Sequence, residues 1–97
     1  MPRTISVIFE WNPRKSAINL RKHGVSFTEV GTVFGDELAI TVPDPDHSDQ
    51  EDRYITIGWS NLHRLLMVAH TGRGEKIRII SARKLTKAEQ KEYEEAN

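Results

Sequence analysis

The sequence predicts an α+β fold in the order strand, helix, helix, four strands, helix, with the helices mainly on one face of an antiparallel sheet. Three observations lead there. Three apolar runs, Tyr54–Trp59, Leu65–His70 and Ile77–Ala82, follow one another across short polar connections, and the second connection carries Gly72 and Gly74. Connections that short make antiparallel hairpins, not crossovers. Before them stand two segments with helix start and stop signals, and after them a third. The chain has 97 residues, enough for one modest core, so residues 1–97 are expected to form a single domain.

The first element covers residues 5–11, Ile-Ser-Val-Ile-Phe-Glu-Trp, whose β-branched and aromatic residues read as a strand. Asn12-Pro13 then starts a helix, because Asn caps and Pro is tolerated at the first helical position. Ala17, Ile18 and Leu20 supply a narrow apolar stripe among Arg14, Lys15, Arg21 and Lys22, and Gly24 is the stop. Ser26 and Glu29 have capping-box spacing, and Phe27, Val30, Val33 and Phe34 recur at helical intervals before Gly35. That aromatic and aliphatic stripe is core. Leu38–Val42 reads as a strand ended by Pro43.

Pro43 to Asp52 holds Asp44, Asp46, His47, Asp49, Glu51 and Asp52. Oxygen ligands and an imidazole suit a divalent cation, but the glycine turn and terminal glutamate of a calcium loop are missing. A solvated acidic loop is the expectation, with no metal and no cofactor. The meander follows, and Thr86-Lys-Ala-Glu89 has capping-box spacing again, opening a helix on which Glu89 and Tyr93 share one face. An acid, a phenol and the preceding Arg83 can converge there.

Net charge is zero but sorted in blocks. Residues 1–24 carry five Lys/Arg against one Glu, 25–52 eight acids and no Lys/Arg, 53–88 eight Lys/Arg against Glu75, and 89–97 four Glu against Lys91. A neutral chain sorted this way can present a basic face to phosphates; segregated solvated charge is the other reading. Without cysteine there is no disulfide framework and no thiolate site, which fits a reducing compartment. No apolar run approaches a membrane span and no signal segment opens the chain, so a cytoplasmic protein is expected.

Single residues leave alternatives open. His23 is either a helix-end imidazole suited to the helix dipole or a catalyst. His63 and Arg64 fall at one hairpin and Arg73 at the next, and His70, ending a strand, reads as a hydrogen-bonded surface residue. Arg78, between Ile77 and Ile79 on an inner strand, needs a carboxylate partner or an anionic ligand.

Phe9-Glu-Trp-Asn-Pro13, Asn19-Leu-Arg-Lys-His-Gly-Val-Ser-Phe27, Val33-Phe34, Arg53, Gly58 and above all Arg78-Ile-Ile-Ser-Ala-Arg-Lys84 with Glu89 and Tyr93 resemble the BrnT family. Asn12 stands where many members carry Asp, and either residue caps a helix. The resemblance spans nearly the whole chain. It implies a RelE-like ribonuclease, the toxin of a bacterial type II toxin-antitoxin pair, which cuts RNA, inhibits translation and is neutralised by a BrnA-like antitoxin. Operator DNA would be reached only through that antitoxin.

Cutting RNA without a metal requires activating the ribose 2′-hydroxyl, stabilising charge on the phosphorane and protonating the leaving oxygen. Arg78 and Arg83 suit the second task, since a planar fork meets phosphate oxygens bidentately, and Lys84 assists. Glu89, Tyr93, His23 and His63 are the candidates for moving protons. Arg78, Arg83, Glu89 and Tyr93 are thus the expected catalytic set, and Lys22, His23, His63, Arg64, Arg73, Lys76 and Lys84 the expected RNA-binding set. A noncatalytic nucleic-acid- or protein-binding module is the competing reading. Against DNA binding alone, no recognition-helix motif is visible.

Overall fold

The computed structural model describes residues 7–46 and 52–96. The elements are β1 (Ile8–Glu10), α1 (Pro13–His23), α2 (Phe27–Val33), β2 (Ile40–Pro43), β3 (Arg53–Trp59), β4 (Leu65–Arg73), β5 (Lys76–Lys84) and α3 (Lys87–Ala96). That is the predicted order. The strands form one sheet, β1-β5-β4-β3-β2. From β2 to β5 every neighbour is antiparallel, as hairpin connections require. β1 instead pairs in parallel with β5, Ile8 opposite Lys76 and Glu10 opposite Arg78. The sheet is therefore mixed, because two helices and the whole meander separate β1 from its partner and no hairpin dictates its direction.

α1 starts and stops as its sequence dictates. The Asn12 side chain accepts from Arg14 N at 2.8 Å and Lys15 N at 3.3 Å, and Gly24, at φ 68°, donates to Leu20 O at 2.8 Å. Its apolar stripe, however, does not face the core. Ala17, Ile18 and Leu20 are exposed, and Asn19 is the residue α1 buries. β1 pairs only with Lys76–Arg78, so the β5 edge beyond needs another partner; Asn19 supplies it, its Oδ1 accepting from Ala82 N at 3.0 Å while its Nδ2 donates to Val25 O at 3.0 Å. α1 is pinned to the sheet by a side-chain amide.

α2 carries the core. Phe27, Val30 and Val33 are buried with Val25 against Leu66, Val68, Ile79 and Ala82, and Phe9, Trp11 and Phe34 close the edge. Glycine is required at position 58: a Cβ there would stand 2.9 Å from Ala39 Cβ and 3.1 Å from Val33 Cγ1. β2 begins at Ile40, two residues later than expected and running through Pro43. Asp36 explains the delay, since its carboxylate accepts from Leu38 N at 3.0 Å and Trp59 N at 2.8 Å and holds the intervening backbone in a turn.

β5 is bulged. Ser81 pairs with Ala69 but Ile79 with His70, leaving Ile80 as an extra residue. Ile79 and Ala82 thereby both reach the core face, while Arg78, Ser81 and Arg83 share the other. Five residues apart, Arg78 and Arg83 would sit on opposite faces of a regular strand. α3 lies over that second face at the β2 side, where Tyr93 and Glu89 line a cleft with Ile40, Ile57 and Met67.

His70 is not at a strand end on the surface, since β4 runs on to Arg73. It is buried, with Nε2 2.6 Å from Thr56 Oγ1, which is in turn 2.7 Å from Thr41 Oγ1. Phe34 meets the ring edge-on at 4.9 Å and Tyr54 stacks at 6.0 Å. Burial pushes the imidazole below its ordinary value of 6.5. In the acidic loop, His47, Asp49 and Glu51 lie outside the described residues; among those described, no three His, Cys, Asp or Glu gather as metal ligands. No described helix is long and apolar enough to cross a membrane.

Candidate active site

The sheet face away from α2 is narrowed to a groove between the end of α1 and α3. Its floor comes from three adjacent strands, Ile55 from β3, Met67 and Ala69 from β4, and Ser81 and Arg83 from β5, with His23 of α1 on the rim. The volume is about 330 Å³. Strand register makes this assembly: Met67 lies opposite Arg83 and Ala69 opposite both Ser81 and Ile55. The bulge then decides which face Ser81 and Arg83 take.

Arg83 is held by the helix that follows it. Glu89 completes the Thr86 capping box reciprocally, Glu89 N donating to Thr86 Oγ1 at 3.1 Å and Thr86 N to Glu89 Oε1 at 2.9 Å. The same carboxylate takes Arg83 Nη1 at 2.7 Å and Nη2 at 2.9 Å. Three donors reach the carboxylate in a fixed geometry, and the guanidinium foremost, then the Thr86 backbone, hold the Glu89 carboxyl at about 2 against an ordinary 4.5. Arg83 rises correspondingly. Glu89 occupies the end of the guanidinium fork, Nη1 also donates to Lys84 O at 3.1 Å, and Nη2 also reaches Met67 Sδ at 3.4 Å on the groove floor. Thioether sulfur is a weak acceptor, so an incoming phosphate oxygen displaces it at small cost.

The other expected site residues are distributed as follows. Tyr93 is buried and its hydroxyl donates to Leu38 O at 3.1 Å. Burial, and then the charge of Asp36, raise its phenol above the ordinary 10.0. Arg78 shares the groove's face, about 10 Å along β5 from Ser81, with Nη1 3.5 Å from the Glu10 carboxylate of the adjoining strand. Lys22 stands beside His23 on α1, exposed. Lys84 and Lys76 are exposed at the two ends of β5. The Arg73 side chain lies outside the described set.

His63 and Arg64 do not line the groove. His63 sits exposed in the β3–β4 turn at φ 59°. Arg64 closes a clasp on the core side: Nε donates to Glu29 Oε2 at 2.9 Å, Nη2 to Gly24 O at 2.9 Å and also to Glu29 Oε1. Ser60 Oγ adds a bond to Glu29 Oε2 at 2.6 Å. The Ser26 capping box is therefore half formed, since Ser26 Oγ accepts from Glu29 N at 3.1 Å while the Glu29 carboxylate turns to Arg64 and is buried there. Arg64, then Ser60, hold that carboxyl below its ordinary value against the cost of burial.

Sequence reasoning missed the floor residues Ile55, Met67 and Ala69, and Ser81 as a groove residue. Leu65–Ala69 is apolar throughout, so no alternation marks which residues face out.

Fold and groove define a small α+β protein with a cationic cleft across its sheet, lined by Arg83. The model of the BrnT ribonuclease toxins of type II toxin-antitoxin systems matches residues 11–89, and the chain belongs to that family. The fold is also that of the crystal structure of the Brucella abortus ribonuclease toxin BrnT, with a TM-score of 0.67, 22% identity, and coverage of 84% of this chain and 100% of that one. No curated protein matches the sequence. This is a ribonuclease toxin of the type II class, with RNA as substrate and an antitoxin as partner at the level of the family.

Proposed function

We propose that the groove is the active site of an endoribonuclease that cleaves by internal transesterification and needs no metal. The observation that carries this reading is the presentation of Arg83: Glu89 fixes the end of the guanidinium while Nη2 meets the floor only at the weakly accepting Met67 Sδ. In that chemistry the ribose 2′-oxygen attacks the adjacent phosphorus, the bond to the 5′-oxygen breaks, and a 2′,3′-cyclic phosphate and a 5′-hydroxyl result. Arg83 stabilises the charge that grows on the non-bridging oxygens. His23, on the rim beside Ser81, takes the 2′-hydroxyl proton, since imidazole suits that transfer, and solvent returns a proton to the 5′-oxygen.

Glu89 has a different role from proton transfer. A carboxyl held at about 2 is a poor base at neutral pH, so its contribution is to aim Arg83. Tyr93, bonded to Leu38 O, ties α3 to the turn before β2. Arg78 and Lys84 assist from the same strand. A BrnA-like antitoxin neutralises the toxin by covering this basic groove with acidic or aromatic anchors, and it supplies the DNA contact. Residues 1–97 act as a single domain in the cytoplasm.

The test is growth arrest on induction in cells. Arg83→Ala should abolish arrest while the purified variant keeps its circular dichroism and its complex with the antitoxin. Undiminished arrest by that variant would remove Arg83 from the site.

A further inference from the structure

The wall of the groove formed by α1 is unexplained by Arg83 and His23 alone. Lys15, Ile18, Asn19 and Lys22 recur at i, i+3, i+4 and i+7, which places them on one helical face. That face, with Ile80 and Ser81 of β5, lines a second hollow of about 170 Å³. His23 and Ser81 line both hollows, so the two adjoin across these residues. The face is fixed in place by Asn19, whose amide bonds Ala82 N and Val25 O, and the bulged Ile80 lines the hollow from the strand side.

We propose that α1 is the second wall of a channel for single-stranded RNA. Lys15 and Lys22 hold phosphates flanking the bond that Arg83 faces, and one unstacked base lies on the Ile55, Met67 and Ala69 floor. This rests on the nuclease reading and extends it to the form of the substrate.

Charge, shape and chemistry each support that occupant. α1 carries Arg14, Lys15, Arg21 and Lys22 and no carboxylate, so nothing on this wall repels a phosphate. Lys15 and Lys22 are both exposed and stand about 10.5 Å apart along the helix, two separate contacts on a passing backbone. The floor is a thioether, a methyl and a branched chain, surfaces that take the flat face of a base, with Met67 free to adapt. A base in a duplex stays in its stack and cannot reach it; an unpaired strand can splay one out.

The probe is a single-stranded 2′-O-methyl RNA, which has no 2′-hydroxyl to attack and cannot be cut. Its affinity for the wild-type protein and for a Lys15→Gln/Lys22→Gln variant is measured across KCl concentrations, beside the same strand in a duplex. Each phosphate contact contributes about −0.7 to the slope of log affinity against log salt for single strands. The variant's slope should thus be shallower by about 1.4, with binding about 25-fold weaker at 0.1 M salt, and the duplex should bind wild type at least about tenfold more weakly than the strand. Both side chains are exposed, so circular dichroism should be unchanged. An unaltered slope, or a duplex that binds as tightly, overturns the channel. So does a variant that loses only its antitoxin complex, which would make the wall a protein contact. If wild type cuts unmodified RNA while the slope stays put, the channel fails and the nuclease stands; if wild type neither binds nor cuts, both fail.

Discussion

Two glutamates in this chain stand three residues past a helix cap, and each meets an arginine. Glu29 is buried and grips Arg64 with Ser60 at its back, joining α2 to the β3–β4 turn; truncating either partner there strands a charge. Glu89 is partly exposed and keeps its cap as well as Arg83. The first arginine is spent on the fold and the second also lines the groove. From sequence the two look alike, since capping-box spacing names the glutamate but not the guanidinium it meets. Glu89→Gln should lower the single-turnover cleavage rate by about 10–100-fold with little change in RNA affinity, because a misaimed group costs rate before it costs binding. An unchanged rate would mean that Arg83 needs no aiming. The same pair sets an acid limit. Since the folded carboxyl titrates at about 2 and the free one at 4.5, its stabilisation is complete above about 4.5 and is lost as pH falls toward 2. Urea unfolding of Glu89→Gln should show that loss removed.

At the scale of elements, the helix ends and the meander were legible because caps, glycines and short polar connections act locally. Asn12, Gly24, Thr86 and Glu89 do what their spacing predicts. What was not legible depends on partners distant in sequence. The narrow stripe Ala17, Ile18, Leu20 is exposed and Asn19 is the anchor, because the β5 edge beyond β1 needs a hydrogen-bond partner more than the core needs another apolar helix face. The bulge at Ile80 is likewise invisible in Ile-Ile-Ser-Ala, and it alone brings Arg78, Ser81 and Arg83 to one face. Asn19→Ala should therefore leave Ala82 N–H and Val25 C=O without this partner, at about 1–3 kcal/mol each. Its midpoint in urea should drop well below that of Ile18→Ala, the neighbouring Ile18 being 42% exposed. Equal, small shifts for both would show that α1 is held by something other than this amide.

Over the whole molecule, the sorted charge blocks acquire a spatial meaning. The basic first and third blocks supply α1 and β5, which meet along the groove. Of the acids in the fourth block, Glu89 reaches Arg83 and holds it. The fold class and the cationic strand were thus readable from order and spacing, whereas the groove, made by one residue from β3, two from β4, three from β5 and one from α1, exists only once register is fixed. The central claim is that this groove cuts RNA by Arg83-assisted attack of the 2′-oxygen. Incubating the purified chain, freed of antitoxin, with naked RNA in EDTA and mapping the new ends tests it most directly. The account predicts 2′,3′-cyclic phosphate and 5′-hydroxyl ends with wild type and none with Arg83→Ala. Cleavage that EDTA abolishes, ends bearing a 5′-phosphate, or equal cutting by the Arg83 variant would contradict it.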